Sequence, residues 1–448
     1  MNIFLHTNDL RVQDNVGLTK AAEDNPTLSV YVHDPRRHIT GNKDTAIQQR
    51  LHHLHEEYDE QNGSLLVKEG KTEAVLKAII DEHDVNSIYT NERYDPVSKD
   101  ILYNVDQATD TPVKQFLDQV IVSPKQYGNT PSSFSQYYNV WKKLADPTPV
   151  SSPDDLVDIE TTKPELPDNP QPAPPGMRRE DAVEAWYEFR DQRLSTYKDE
   201  RDNVSNPNGV SRLSPYYAIG VLSSREVLDD VEAYLDETDD SDATRNAAKY
   251  RFEVAWRAWY KTVLAKNPSS VTDNYKDMKP VNWRNDDEEI EAWKNGRTGV
   301  PFVDAGIREL RNTGYMHNRL RQNVASFLTK HLAADWRFGR DFFAEHLFDH
   351  DIASNTGNWQ WSASTGTDSV PIRIFNPEKQ GRQYDPDAKY IKQWVPELRG
   401  VNPDKIHRWT QLDSDTVEAL APDYTPTIID YDKRYHDGKQ RFKNALNN

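Results

Sequence analysis

Over roughly the first 125 positions, short β-branched and apolar runs alternate with amphipathic stretches. The runs are Ile3–His6, Leu28–Val32, Leu65–Lys68, Ser87–Thr90 and Val120–Val122. Helical patterns fall between them at Val16–Glu23, Ala46–Gln61, Thr72–His83 and Ser98–Asp106. This spacing leaves room for a crossover helix between successive strands. It predicts an α/β domain over 1–125 with a parallel, five-stranded, Rossmann-like sheet. No Gly-x-Gly-x-x-Gly follows the first run, so the usual dinucleotide fingerprint is absent.

The pattern then changes twice. Nine of the 27 prolines lie between Pro147 and Pro175, among Asp154, Asp155, Asp158, Glu160, Glu165 and Asp168. This predicts an extended surface linker within an interdomain stretch 126–178. From 179 to 448 helical periodicity dominates and an all-α domain is expected. Leu320, Val324, Phe327, Leu328 and His331 follow i, i+4, i+7, i+8 and i+11, one face of a buried helix. Ten of the eleven tryptophans lie at or after Trp186.

Composition narrows the classes. The chain has 448 residues, a net charge of −18, a pI near 5.2 and a mean hydropathy of −0.89. No apolar run approaches the roughly 18 residues that cross a bilayer, and Ile3–Leu5 is too short for a secretory signal. A soluble, cytoplasmic protein is expected. The absence of cysteine excludes disulfides, thiolate metal sites and cysteine nucleophiles. His52, His53 and His55 are read as an exposed helix face, and no metal is expected. A charge of −18 argues against nucleic acid at long range but suits a salt-rich, halophilic cytoplasm. Asp229–Asp242 concentrates eight acids with no base. Against that trend, Arg297–Arg340 holds eight Lys/Arg and three Asp/Glu, 8 − 3 = +5, a local basic patch.

Four constellations carry candidate chemistry. In Ser211-Arg-Leu-Ser-Pro-Tyr216, Ser214 reads as an N-cap and Pro215 as the first turn, a helix start suited to a diphosphate. Glu253, Trp256, Arg257 and Tyr260 share one helix face. They could bond and stack an aromatic heterocycle, or form a half-buried Glu–Arg pair among aromatics. In Gly314–Arg321 and Gln322, amides could read a base edge. In Asp349–Trp361, the two carboxylates Asp349 and Asp351 suit acid/base work or bonds to a ligand. Trp359 and Trp361 point about 200° apart if helical, toward two surfaces.

These residues resemble the photolyase/cryptochrome flavoproteins. The likeness begins with Asp9-Leu-Arg-Val-Gln-Asp-Asn15 and continues through Ser211–Tyr216 and Glu253–Tyr260. It is strongest in Gly299-Val-Pro-Phe-Val-Asp-Ala-Gly306, Met316-His-Asn-Arg-Leu-Arg321, Asn355–Thr367 and Arg373-Ile-Phe-Asn-Pro377. It implies a helical domain holding FAD, active as FADH⁻. Tyr197, Val210, Ser211, Arg212, Leu213 and Ser214 would line the phosphates. Arg257, Asn318, Arg321, Asp349 and Asp351 would surround the ribityl and ring system, with Asp349 paired to Arg321. Asn355 would face flavin N5. Trp359, Trp336 and Trp283 match an electron-transfer chain.

In such photolyases, excited FADH⁻ donates an electron to a flipped-out cyclobutane pyrimidine dimer, whose ring then opens. Glu253, Trp256, Asn318, Arg319, Gln322 and Trp361 match the dimer pocket, and Arg201, Arg319 and Gln380 the DNA strand. UV-damaged DNA is the implied partner, and a monomer is expected. A second antenna chromophore, deazaflavin or folate, stays open, because Val97-Ser-Lys99 lacks the folate-type polar pair.

The pattern departs from the family at several positions. Val210 replaces a usual Thr, Ala258 a usual acid and Asn8 an Arg. Gln322 stands where many dimer-repairing relatives have Met. Arg321–Ser326 resembles the DASH branch, whereas Trp359–Asp368 follows the duplex-repair pattern. The second His of the (6-4) branch is missing after His317. Two other functions remain open: a cryptochrome-like blue-light receptor, and an FAD-dependent redox enzyme acting on a small molecule.

Overall fold

In the computed structural model, which describes residues 1–446, five parallel strands form one sheet. They are β1 (Asn2–His6), β2 (Thr27–His33), β3 (Leu65–Glu69), β4 (Ser87–Asn91) and β5 (Val113–Phe116), in the order β3-β2-β1-β4-β5. The crossover helices are Val16–Asp24, Gly41–Asp59, Thr72–Glu82 and Pro96–Ala108. Helices cover both faces, so the central strands β1 and β4 are buried at every residue. Caps place the helix starts: Asn15 accepts from Leu18 N, and Asp95 from Ser98 N ahead of Pro96.

The fifth strand corrects the sequence reading. It lies at Val113–Phe116, not at Val120–Val122. As an edge strand it pairs only with β4 and leaves Lys114 and Gln115 exposed, which mutes its apolar signal. Val120 and Val122 are buried in irregular chain because they cover Tyr137 and Trp259.

The stretch between the domains is not all extended. It holds the helix Phe134–Leu144, whose Phe134 stacks on Trp256 at 3.7 Å. Further on it forms strand-like bonds across the amino ends of two strands. Thr27 N donates to Asp155 O (3.0 Å), Val157 N to Thr27 O (2.9 Å) and Ser64 N to Val157 O (3.0 Å).

After this stretch the structure is helical. The 26-residue helix Ser241–Lys266 packs against Phe134–Leu144, Ser224–Glu237 and Ile352–Ser362. The face predicted through Leu320 and His331 is buried, and the helix Asn318–Ser326 runs on into a wider π turn at Phe327–His331. No helix among the described residues is long and apolar enough to cross a membrane.

Charged side chains fasten the two domains. Arg11 and Asp14, within the Asp9–Asn15 motif, meet Asp118 and Arg225, and all four are buried. Arg11 and Arg225 both donate to Asp118 Oδ1 at 2.7 Å, and Arg225 Nε reaches Asp14 Oδ1 at 3.0 Å. A second contact joins the start of Gly41–Asp59 to the end of the helix Trp336–His346. Asn42 donates to His346 O (2.6 Å), and Lys43 Nζ to His350 O (2.9 Å).

Candidate functional site

The helical region encloses a cavity of about 660 Å³. A deeper lobe of about 240 Å³ shares Ser214, Tyr315, Asn318, Arg321, Asp349 and Asp351 with it. Of the residues expected near FAD, Tyr197, Val210, Ser214, Arg257, Asn318, Arg321, Asp349 and Asp351 line the larger cavity, and Asn355 the lobe. Ser211, Arg212 and Leu213 line neither. Ser211 accepts from Tyr250 Oη (3.1 Å) and Leu213 is buried. Arg212, at φ 53°, places its guanidinium 4.7 Å over the Tyr315 ring.

Of the residues expected near DNA, Arg201, Glu253, Trp256, Asn318, Arg319, Gln322 and Trp361 line the cavity. Gln380 does not; it sits on the helix Pro377–Tyr384.

The Ser214 reading shifts by one residue. The helix Ser214–Ile219 starts at Ser214 itself, and Leu213 holds the cap position without a side-chain bond. The Ser214 hydroxyl is therefore not spent on capping and faces the cavity.

The stripe on Ser241–Lys266 points inward as one face. Gly357 lets Tyr260 close against the neighbouring helix, since a Cβ there would lie 2.1 Å from the tyrosine ring. Arg257 NH2 donates to Tyr217 O (2.8 Å) and NH1 to Gln119 O (3.2 Å), tying the site to the chain leaving the sheet.

Neither aspartate is free for acid/base work. Arg321 grips Asp349 through two bonds, 3.0 and 2.7 Å. Asp351 accepts from Lys261 Nζ (2.7 Å) and caps Ser354 N (2.9 Å). Burial opposes ionisation of Asp351, but Lys261 and Arg257 overcome it and hold its pKa well below the usual range. Burial pushes Lys261 down to about 8, against the pull of Asp351. Burial also lowers His317 and His350 to about 4, so both are neutral at pH 7. His317 caps its helix: Nδ1 accepts from Arg319 N (3.1 Å), and Nε2 donates to Arg201 O (3.0 Å).

Trp359 and Trp361 serve different surfaces. Trp359 packs edge-on against Phe343 (5.0 Å) and Trp293 (6.1 Å), over Gly339. Trp361 lines the larger cavity beneath Arg373, whose guanidinium is 4.7 Å from its ring. Trp336, fully buried, donates to Asn274 Oδ1 (3.0 Å) from a helix packed on that of Trp359. Trp283 is half-buried, edge-on to Phe442 at 5.7 Å.

The histidine face needs correction too. His53 and His55 are buried, because the inter-domain stretch covers them. His52 bonds Pro164 O (2.7 Å) and His55 bonds Thr161 Oγ1 (2.9 Å). His52, His53 and Glu56 converge within 4.8 Å, but the Lys163 ammonium lies 2.6 Å from Glu56 where a cation would sit.

Sequence reasoning missed Asp202, Lys261, Lys43, His350 and Asp368. Asp202 and Lys261 each directly follow a residue already singled out, and Asp368 ends a quoted motif. His350 lies between the two aspartates already singled out, and Lys43 carried no separate signal.

A two-domain protein with a parallel sheet, and a helical cavity large and polar enough for a dinucleotide, is what fold and site together define. Residues 2–154 match the family described as DNA photolyase, and residues 250–444 match the FAD binding domain of DNA photolyase. The chain is 36% identical to a deoxyribodipyrimidine photo-lyase of Halobacterium salinarum, over 99% of both chains. It is 30% identical to a cryptochrome DASH of Gloeobacter violaceus, over 95% of this chain and 92% of that one. Among solved structures, a class III photolyase from Agrobacterium tumefaciens aligns with a TM-score of 0.87 at 29% identity, covering 98% of this chain and 96% of the other. An archaeal photolyase from Sulfolobus tokodaii with two FAD molecules aligns with a TM-score of 0.82 at 29% identity, over 99% and 100%. The chain belongs to the photolyase/cryptochrome family and carries its FAD-binding domain.

The residues present fit FAD. Arg212 forms no ion pair with a carboxylate among the described residues and lies 4.7 Å over the ring of Tyr315, which lines both lobes. With the Ser214 hydroxyl, this leaves one cation beside the cavity and one hydroxyl on its wall for a diphosphate and its sugar.

Proposed function

We propose that this protein repairs cyclobutane pyrimidine dimers in DNA by a light-driven reaction, with the flipped-out dimer held in the mouth of the FAD cavity. The observation that carries this reading is the convergence of Trp256, Trp361, Glu253, Asn318 and Gln322 on one cavity that continues into the Asn355 lobe. Bound reduced FAD supplies the photoexcited one-electron donor.

The protein's own residues do the rest. Trp256, fixed by its stack on Phe134, and Trp361, fixed under Arg373, offer flat apolar walls to a dimer. Glu253 and Asn318 offer bonds to its base edges. Arg321 and Asp349 hold each other in place without transferring a proton. Trp359, Trp336 and Trp283 are read as the path by which oxidised flavin is reduced. Helix Trp336–His346 packs on helix Ile352–Ser362, which supports the first step. The cryptochrome DASH relatives support a second reading, a photoreceptor.

The deciding experiment measures dimer loss from irradiated DNA by the purified flavoprotein, with and without blue light. Light-dependent loss supports repair. Loss in the dark, or none in the light with reduced FAD bound, sinks it.

A further inference from the structure

The arginines at the cavity mouth are already gripped by carboxylates of this chain. Arg319 donates to Asp202 twice, Nε to Oδ1 at 2.9 Å and NH2 to Oδ2 at 2.6 Å. The same Asp202 lies 3.6 Å from Arg201, which also pairs with Glu253. Across the mouth, Asp368 grips Arg373 at 2.7 and 3.2 Å. The cavity wall carries five arginines and five carboxylates, so its formal charge is zero. The +5 of Arg297–Arg340 therefore does not reach the mouth as free charge.

Arg319 is presented as a fixed fork. Its guanidinium lies 4.7 Å over the Tyr384 ring, and NH1 donates to Gln322 Oε1 (3.3 Å). Methionine at 322 would offer only a weak thioether acceptor, so the departure at this position helps hold the arginine. A planar fork takes a carboxylate and a phosphodiester with the same two-bond geometry.

We propose that Asp202 sets specificity by occupying the phosphate-binding fork of Arg319 until a strand anchored by its flipped dimer displaces it. This rests on the dimer-repair reading. A phosphate entering the fork exchanges one anion for another and leaves a freed carboxylate beneath the DNA backbone. Undamaged DNA has no base stacked on Trp256 and Trp361 to offset that exchange. Damaged DNA has one. Asp202 acts through Arg319 and is a positioning residue.

The test uses the FAD-loaded protein and matched duplexes with and without a dimer, titrated at several salt concentrations. In Asp202→Asn, affinity for undamaged duplex should rise about five- to tenfold near 0.1 M salt. The slope of log K against log salt should steepen by about 0.9, one uncompensated phosphate contact. Affinity for dimer DNA should change less, so discrimination narrows. Asp202→Glu, which keeps the charge, should stay near the parent slope. Adding Arg319→Gln to Asp202→Asn should abolish the extra slope.

Unchanged slope and undamaged-DNA affinity in Asp202→Asn would overturn the proposal. So would equal slopes for the Asn and Glu variants. Flavin absorbance and melting temperature check that the variants are folded; among the described residues the Asp202 side chain hydrogen-bonds only to Arg319 and otherwise lies 3.6 Å from Arg201. A parent protein without preference for dimer DNA sinks the repair reading itself. A parent that discriminates beside an unaltered Asn variant sinks only the role of Asp202.

Discussion

Lys43→Met should remove part of the pH dependence of stability. The ammonium is buried where the two domains meet and donates to the His350 carbonyl at 2.9 Å. Burial pushes its pKa from 10.5 down to about 7, with Asp351 pulling the other way. The folded pKa thus lies below the unfolded one. Below pH 7 both states are protonated and the folded protein bears the full cost. Between pH 7 and 10.5 the unfolded chain binds more protons, so stability rises with pH. At about 1.4 kcal/mol per pKa unit, the rise from pH 7 to pH 9 attributable to this one group is roughly 2 kcal/mol. Lys261, lowered to about 8, adds a similar rise in both proteins. In the Met variant the Lys43 share disappears. At pH 6 the variant should be more stable by roughly 4 kcal/mol, the relieved burial cost of about 5 less about 1 for the lost carbonyl bond. Urea unfolding of parent and variant at pH 6, 7.5 and 9, at fixed ionic strength, reads this directly. Parallel stability curves across that range would refute the reasoning.

Three further outcomes are expected. Trp359→Phe should strongly slow photoreduction of oxidised FAD while leaving repair from pre-reduced enzyme intact; transient absorption at the parent rate would exclude Trp359 from the path. Gly339→Ala places a Cβ 2.0 Å from the Trp359 ring, so it should cost about 1–3 kcal/mol or more and lower FAD content; an unaltered melting curve and flavin ratio would contradict this. Arg321→Gln strands the buried Asp349 carboxylate, a loss of about 3–5 kcal/mol, and adding Asp349→Asn should recover part of it; a double variant no better than the single would argue against the pair.

Much of the site was legible because its residues lie in short motifs. The Glu253–Tyr260 stripe and the Asp349–Arg321 pair could be foreseen from helical spacing and a stated resemblance. The counter-charges could not. Lys261 meets Asp351 across 90 positions, and Lys43 meets His350 across 307. Only the folded chain brings such partners together, and a lysine looks the same in sequence whether solvated or buried. The misplaced fifth strand has a similar cause. Alternation reports burial, and Val120 and Val122 are buried by the neighbouring domain rather than by strand neighbours. The basic segment read from sequence was real as a count but not as a free charge at the cavity, because Asp202 and Asp349, which pair with Arg319 and Arg321, lie outside it.

The bonds from Asp155 and Val157 to Thr27 and Ser64 bear on how the protein can be divided. A fragment ending near residue 125 would contain all five strands, yet would leave the Thr27 and Ser64 amides without their acceptors. It would also uncover the hydrophobic surface on which Val157 and Ile159 rest. An α/β module that keeps these bonds therefore runs to about residue 160 and includes chain that by composition belongs to neither domain. Exchange of this module between relatives, or insertion of a reporter, should respect that later seam.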